Sequence, residues 1–593
     1  MYVTKKWYLY TLTLVMALLL AACAGAPPPA APVEPEQPTA PAESEAAPLE
    51  PAVSEQAEAP AEVEAPAETA AGGKVTVRVG AAGSPDTLNP GTAILVEAYD
   101  MFELVYDTLY DLELDGSFRP ALAEKAELSA DGKVWTFTIR DGVKWHDGQP
   151  LTAKDVAFTI NLNKEREDFP YMNPYTAYFE SIEATDDRTV VVTLTEPIPN
   201  MESQLVFQYI LPEHIWGKLE GDAVAEFQNT AMIGSGPFKM VEYKQNEFVH
   251  LAANKEHYYM PPKVDEVIFR TFGNPDALVQ ALITGQVDMI TEMPATAIPT
   301  LKNAANVEVA IGVPLSPSIR DFIFNQIAPE NCPTEDGGIC SNHPALRDRN
   351  VRLALAHATD LENIIDVAEL GLGTPGVGLI ADSMGDWYNS DLKPYEFDPA
   401  KANQILEEAG YKDTNGDGIR EMPDGSNPLK FRLYWPNDVV AGPRTAELLG
   451  DMWSQVGVRL EPQAFDPDAL TAVCCPAFDF DVMIWGWGSD PDPSALLNVM
   501  TSKQIPTGSS ETGYANPEYD RLYEQQALAL DHEKRRELIW EMQRLAHEDV
   551  VYLTYYQQWA QAFRTDRFKG WITDAPTLEL KDASSMTVIE PVQ

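Results

Sequence analysis

The chain has 593 residues, of which 42 are basic and 91 acidic, for a formal net charge of −49. That length allows several domains with sizeable cores. So acidic a surface lacks the basic face that a nucleic-acid partner needs, and it disfavours docking on anionic lipid through charge. It suits a soluble protein living among cations.

The N-terminus reads as an export signal. Lys5 and Lys6 precede an uncharged apolar run over 7–20, too short to span a bilayer comfortably. The run ends in Leu20-Ala21-Ala22-Cys23, which resembles a bacterial lipobox. Residues 1–23 are therefore expected to be a lipoprotein signal peptide, with Cys23 as the lipidation site. The alternative is a plain signal peptide or anchor helix with a chance cysteine. Stable anchoring follows from two or more acyl chains at about 0.8 kcal/mol per buried methylene. Residues 24–73 are almost entirely Ala, Pro and Glu, without an aromatic, Lys or Arg. Such a composition cannot offset its ordering entropy by burial, and the spacing predicts a disordered, semi-stiff tether.

The body begins with an alternating strand from Lys74 to Val79. Trp135, Phe137 and Ile139 alternate with Thr136 and Thr138, and 190–194 reads as a more deeply buried strand. Thr152 and Asp155 form an expected capping box. Asn274-Pro275 opens a helix that Gly285 closes, and Asp398-Pro399 opens another that Gly410 closes. Leu538, Ile539, Met542, Leu545 and Ala546 stripe a helix near the C-terminus. Strands and helices mixed without strict alternation predict an α/β or α+β body of more than one domain, with no internal repeat.

Residues 140–156, RDGVKWHDGQPLTAKDV, closely resemble the signature of the family 5 extracellular solute-binding proteins, the peptide, dipeptide and nickel receptors of ABC importers. Further segments fit the same family in order: 86–90 (DTLNP), 120–123 (PALA), 234–238 (GSGPF), 281–288 (ALITGQVD), 351–356 (VRLALA), 485–493 (WGWGSDPDP) and 514–520 (YANPEYD). The resemblance implies an α/β, two-lobed periplasmic-binding-protein-like fold of class II, cluster C, with an extra inserted domain. The implied boundaries are 74–116 for the first part of lobe I, 117–232 for the insert and 233–315 for the second part of lobe I. Lobe II follows over 316–562, and 563–593 returns to lobe I. Hinge crossings are expected near Arg320 to Asn325 and around 555–563. The implied function is capture of a peptide in the interlobe cleft and delivery to ABC permease subunits, as a monomer lipid-anchored outside the cytoplasm, in the periplasmic space or at the cell surface.

Within that resemblance Asp490 is the candidate partner for a ligand ammonium group, by a charge-assisted bond in a dry cleft; helix capping is the competing role. Trp485 and Trp487, at strand spacing, point to one side and could line an apolar pocket or sit in a core. Asn325 ends an apolar strand, as a ligand contact or a turn residue. Arg320 could hold a ligand carboxylate or a hinge ion pair. Residues 413–424 match the oxygen-ligand spacing of a calcium loop: Asp413, Asn415, Asp417, the Ile419 carbonyl and Glu421, with Asp424 where glutamate is preferred. No cofactor is expected to be required, and a bound Ca2+ would be structural. Cys332 and Cys340 flank a short loop and could form a disulfide outside the cytoplasm, while adjacent Cys474 and Cys475 allow a strained vicinal bridge but read more readily as free buried thiols.

No metalloprotease, nucleophile-elbow or phosphate-loop motif is present, and His146-Asp147 lies in a turn of the signature; an enzyme is not expected. Two other readings remain: an oligosaccharide receptor of the same family, and a surface sensor that binds without feeding a transporter.

Overall fold

Two mixed β-sheets, each covered by helices, organise the body. The computed structural model describes residues 73–488, 490–506 and 508–592, so Cys23, the signal peptide and the tether lie outside the described residues. The first sheet has the strand order Val307–Gly312, Trp559–Arg564, Met289–Ile290, Thr76–Ala81, Glu266–Thr271, Phe248–Ala253, Phe238–Lys244. The second runs Gly373–Pro375, Tyr552–Gln557, Ser318–Phe324, Val482–Gly488, Lys430–Pro436, Arg459–Phe465. A four-stranded antiparallel sheet, Ala123–Leu128, Val134–Ile139, Thr189–Leu194, Phe179–Ala184, forms the inserted domain between the strands of the first sheet.

Alternation explains the strands. Val77 and Val79 face a core that also holds Phe102, Phe238, Val267, Met289 and Phe563, so early, middle and C-terminal segments share one interior. Phe137, Ile139, Val190, Val192 and Leu194 build the separate core of the insert. Capping explains the helix starts. Asp155 Oδ2 accepts from the Thr152 amide at 2.9 Å, and Thr152 Oγ1 accepts from the Lys154 amide at 3.3 Å. Asn274 caps Pro275–Thr284 and Asp398 caps Pro399–Glu408, each accepting from the amide three residues on. Gly285 and Gly410 close these helices at φ 77° and 89°.

Strand directions place the cleft. Thr76–Ala81 is parallel to Glu266–Thr271 and Met289–Ile290, so their carboxyl ends share one edge. Val307–Gly312 runs antiparallel to Trp559–Arg564, itself antiparallel to Met289–Ile290, which brings Gly312 to that same edge. From there the chain crosses over 313–317 into Ser318–Phe324 and returns at Gln558. In the second sheet Ser318 faces Gly488, and Lys430–Pro436 runs parallel to Val482–Gly488, so Pro436, Gly488 and Gln557 rim the facing edge. The two edges bound a crevice outside strand ends, the usual ligand position in open α/β sheets. The sheets place the first crossing just before Arg320, which with the residues up to Phe324 lies inside a paired strand. They place the second at Gln558, within the expected 555–563, so the lobe boundary falls before Trp559 and not at 562/563, because Trp559–Arg564 is paired along its length in the first sheet.

The signature segment joins the insert to the first lobe. The His146 amide donates to Gly234 O at 2.8 Å and the Gly236 amide to Val105 O at 2.9 Å, while His146 Nε2 lies 3.0 Å from Gly236 O. A Cβ at Gly234 would stand 1.9 Å from the Val105 carbonyl oxygen. Backbone against backbone cannot yield without a shift. Gly234→Ala should therefore destabilise the body by about 2 kcal/mol, read as a lower denaturation midpoint in urea.

Candidate functional site

A cavity of about 310 Å3 opens at the cleft edge of the second sheet, walled by Ser318, Arg320, Pro436, Asp438, Trp485 and Trp487 among others. The strand Val482–Gly488 carries both indoles. Trp485 pairs with Asp321 and Trp487 with Ile319 across the sheet, so both lie on one face, packed against a core that includes Ile319, Ile323, Met483 and Tyr552. Arg320 points from the neighbouring strand, its Nη1 donating to the Trp485 carbonyl at 3.2 Å.

Asp490 follows this strand. Its Oδ1 accepts from the Tyr175 hydroxyl at 3.1 Å, and Tyr175 belongs to the inserted domain, its ring 5.3 Å from Phe207. Burial pushes the Asp490 carboxyl above its ordinary range, against the hydrogen bond from Tyr175, with Asp492 adding to the rise. Burial and the neighbouring Asp490 likewise raise the Tyr175 phenol. Asp492 is engaged elsewhere: Arg535 donates to both its oxygens at 2.6 and 2.8 Å, and it accepts from the Ser494 amide at 2.9 Å.

Asn325 takes no part in the cavity wall. It is wholly buried, its Nδ2 donating to Phe478 O at 3.0 Å and Phe480 O at 2.8 Å, and its Oδ1 accepting from the Ile327 amide at 3.2 Å. This is a turn lock, because the strand ends there and its neighbours offer only backbone to bind.

The sequence reading missed three residues. Tyr175 carried no signal. Glu511 lies in an ordinary polar loop. Asp321 carried one: it is an acid at an inward position of the strand Ser318–Phe324, among Ile319, Phe322 and Ile323. Asp321 and Glu511 are buried on the core side of the second sheet, and burial raises both carboxyls; Asp321 is pushed up to about 7, against the pull of Arg320, and Glu511 is raised further by Asp321.

Away from the cleft, the carboxylates of Asp413, Asp417 and Glu421 offer oxygens within 4.8 Å of one another. Asp413 accepts from the amides of Gly416 at 2.6 Å and Gly418 at 2.9 Å, Asn415 Oδ1 from the Asp417 amide at 2.8 Å, and Asp417 Oδ1 from the Ile419 amide at 2.9 Å. Glu421 accepts from Thr414 and from Asn415 Nδ2. Asp424 turns instead to the amide and hydroxyl of Ser426, at 2.9 and 2.6 Å, and stands outside the trio. The sulfurs of Cys332 and Cys340 are bonded at 2.02 Å. Those of Cys474 and Cys475 are also bonded, at 2.07 Å, where the sequence suggests free thiols; the helix Pro467–Cys474 ends between them and the backbone turns extended at Cys475. Among the described residues no helix is long and apolar enough to cross a membrane.

A family model described as "Bacterial extracellular solute-binding proteins, family 5 Middle" matches residues 117–507. A putative ABC transporter peptide-binding protein of Brucella abortus is 28% identical over 444 residues, covering 73% of this chain and 77% of the relative. The substrate-binding protein CtaP of Listeria monocytogenes superposes with a TM-score of 0.72 at 25% identity, over 87% of this chain and 99% of that one. The oligopeptide-binding protein AppA of Bacillus subtilis, solved with a nonapeptide, superposes with a TM-score of 0.63 at 25% identity, again over 87% and 99%.

The buried acid gives a pH prediction. A carboxyl whose folded pKa is raised favours the protonated folded state, so its contribution is complete below the ordinary value of 3.8 and is lost as pH rises towards about 7. Asp321→Asn should flatten that decline. Its melting temperature should exceed the parent's by several degrees at pH 8 and match it near pH 4, measured by calorimetry across that range.

Proposed function

The chain belongs to the family 5 bacterial extracellular solute-binding proteins, and from that premise we propose that it captures a peptide between its lobes and delivers it to the permease of an ABC importer. Members of this family are substrate-binding receptors, and no cofactor is needed for that role. The observation that carries the peptide reading is Asp490, a half-buried carboxylate at the cleft rim that accepts from the Tyr175 hydroxyl of the inserted domain. A ligand ammonium displacing Tyr175 would bring a positive charge to the carboxylate, so that both donor and acceptor are ionised. Trp487 and Trp485 supply apolar wall, and strand edges at the cleft can pair with an extended main chain. The relatives support this reading: one is named as peptide-binding, and another was solved with a nonapeptide.

The two indoles beside the cavity also favour stacking on a sugar face, which keeps an oligosaccharide ligand as the second reading. The first crossing at 313–317 and the second at Gln558 support 74–116, 233–315 and the C-terminal segment as one lobe, with the insert at 117–232. Lipid attachment at Cys23 and a tether over 24–73 complete the proposed architecture of an extracytoplasmic, membrane-anchored monomer. The acidic trio Asp413, Asp417 and Glu421 supports a structural calcium ion.

Binding to the folded state raises the melting midpoint with affinity. Peptides should shift the midpoint and oligosaccharides should not, and Asp490→Asn should weaken a peptide at least tenfold by calorimetric titration. A sugar shift with silent peptides reverses the assignment. Millimolar calcium should raise the midpoint of the parent by a few degrees and leave Glu421→Gln unmoved.

A further inference from the structure

Behind the cavity wall, Trp487 is held from within. Its Nε1–H donates to Glu511 Oε2 at 2.9 Å, and the Tyr552 hydroxyl donates to the same oxygen at 3.3 Å. Glu511 is 6% exposed, so this hold is made in the core and not at the surface. Tyr552 is fixed in turn by the second sheet, pairing with Ile323. Asp321 lies on the same face, wholly buried, with no hydrogen-bond partner for either oxygen among the described residues. The charged and titratable groups acting on the pair are Arg320, from the strand carrying Asp321, and Tyr552, with Tyr519 acting through Tyr552. Two adjacent carboxyls in so dry a place cannot both ionise, and a neutral Glu511 accepts through a carbonyl oxygen as a glutamine does.

Packing alone would leave an indole free to choose its rotamer at the sheet edge, where its outer face lines an open cavity. An aromatic side chain at a binding surface contributes through a fixed plane, since freezing it on binding costs affinity. A buried acceptor at 2.9 Å supplies that fixation in advance.

We propose that Glu511 is a positioning residue for ligand capture: its carboxyl, braced by Tyr552, fixes the indole of Trp487 as a preformed wall of the cleft. This rests on the reading of Trp487 as a ligand-facing wall. Glu511 touches no ligand itself; it acts through the ring.

The test compares Glu511→Leu, Glu511→Gln, Tyr552→Phe and Trp487→Phe in the full chain. The probe is a tryptic digest of β-casein, with retained peptides counted by mass spectrometry. Ultraviolet resonance Raman difference spectra against Trp487→Phe isolate the N–H hydrogen-bond band of that one indole. Glu511→Leu should shift the band to the unbonded position and lower peptide retention about tenfold, while Glu511→Gln keeps both within about twofold. Tyr552→Phe should shift the band partway and lower retention about threefold, which decides the matter if the leucine variant fails to fold. A lost band with parental retention overturns the proposal, as does an unmoved band in both Glu511→Leu and Tyr552→Phe. Parental retention by Trp487→Phe instead overturns the reading of Trp487 as a wall, whatever the band shows for Glu511.

Discussion

Among the described residues, two short passages of chain, 313–317 and Gln558, link the two sheets. They run side by side, because Gly312 pairs with Trp559 in one sheet and Ile319 with Tyr556 in the other. Each passage is therefore clamped at both ends by a strand ladder, which leaves only a few unpaired residues between the two sheets. This is the arrangement in which a few element-terminal positions absorb a large backbone change while the bodies stay intact. The cleft, its rim residues and the orientation of both walls follow from that connectivity.

Both walls bury acids. On the first lobe Lys581 pairs with Asp100 at 2.9 Å and Glu292 at 3.6 Å, close to Glu579 and Asp582. Burial pushes Glu579 up to about 7, with Lys581 opposing, and drives Glu103 well above its ordinary range. Glu292 follows the strand Met289–Ile290, so this cluster stands near the cleft edge. On the second lobe Asp490 and the Asp321–Glu511 pair repeat the pattern. Burial thus favours the neutral form of several acids in both lobes of a chain of net charge −49.

Much of this was legible in advance, for reasons local to particular residues. Thr152 with Asp155, Asn274 and Asp398 announce helix starts because capping is a short-range hydrogen bond between near neighbours. The strand around Phe137 shows because alternation is local too. The contacts at the site are not of that kind. Tyr175 and Asp490 are 315 residues apart, and nothing near either residue marks the other. Trp487 was visible as an aromatic in a strand, but its acceptor lies in a loop 24 residues on. Asn325 offered two roles because an amide at a strand end suits a ligand or a turn, and the nearby carbonyls of Phe478 and Phe480 favour the turn.

The direction of the first strand has an outward consequence. Thr76–Ala81 starts beside Glu266, where Lys74 is ion-paired, and runs towards the cleft. At about 3.3 Å per residue its six residues put roughly 20 Å between its first residue and the edge that bounds the crevice. That strand therefore leads from the edge of the first sheet far from the crevice to the edge that bounds it.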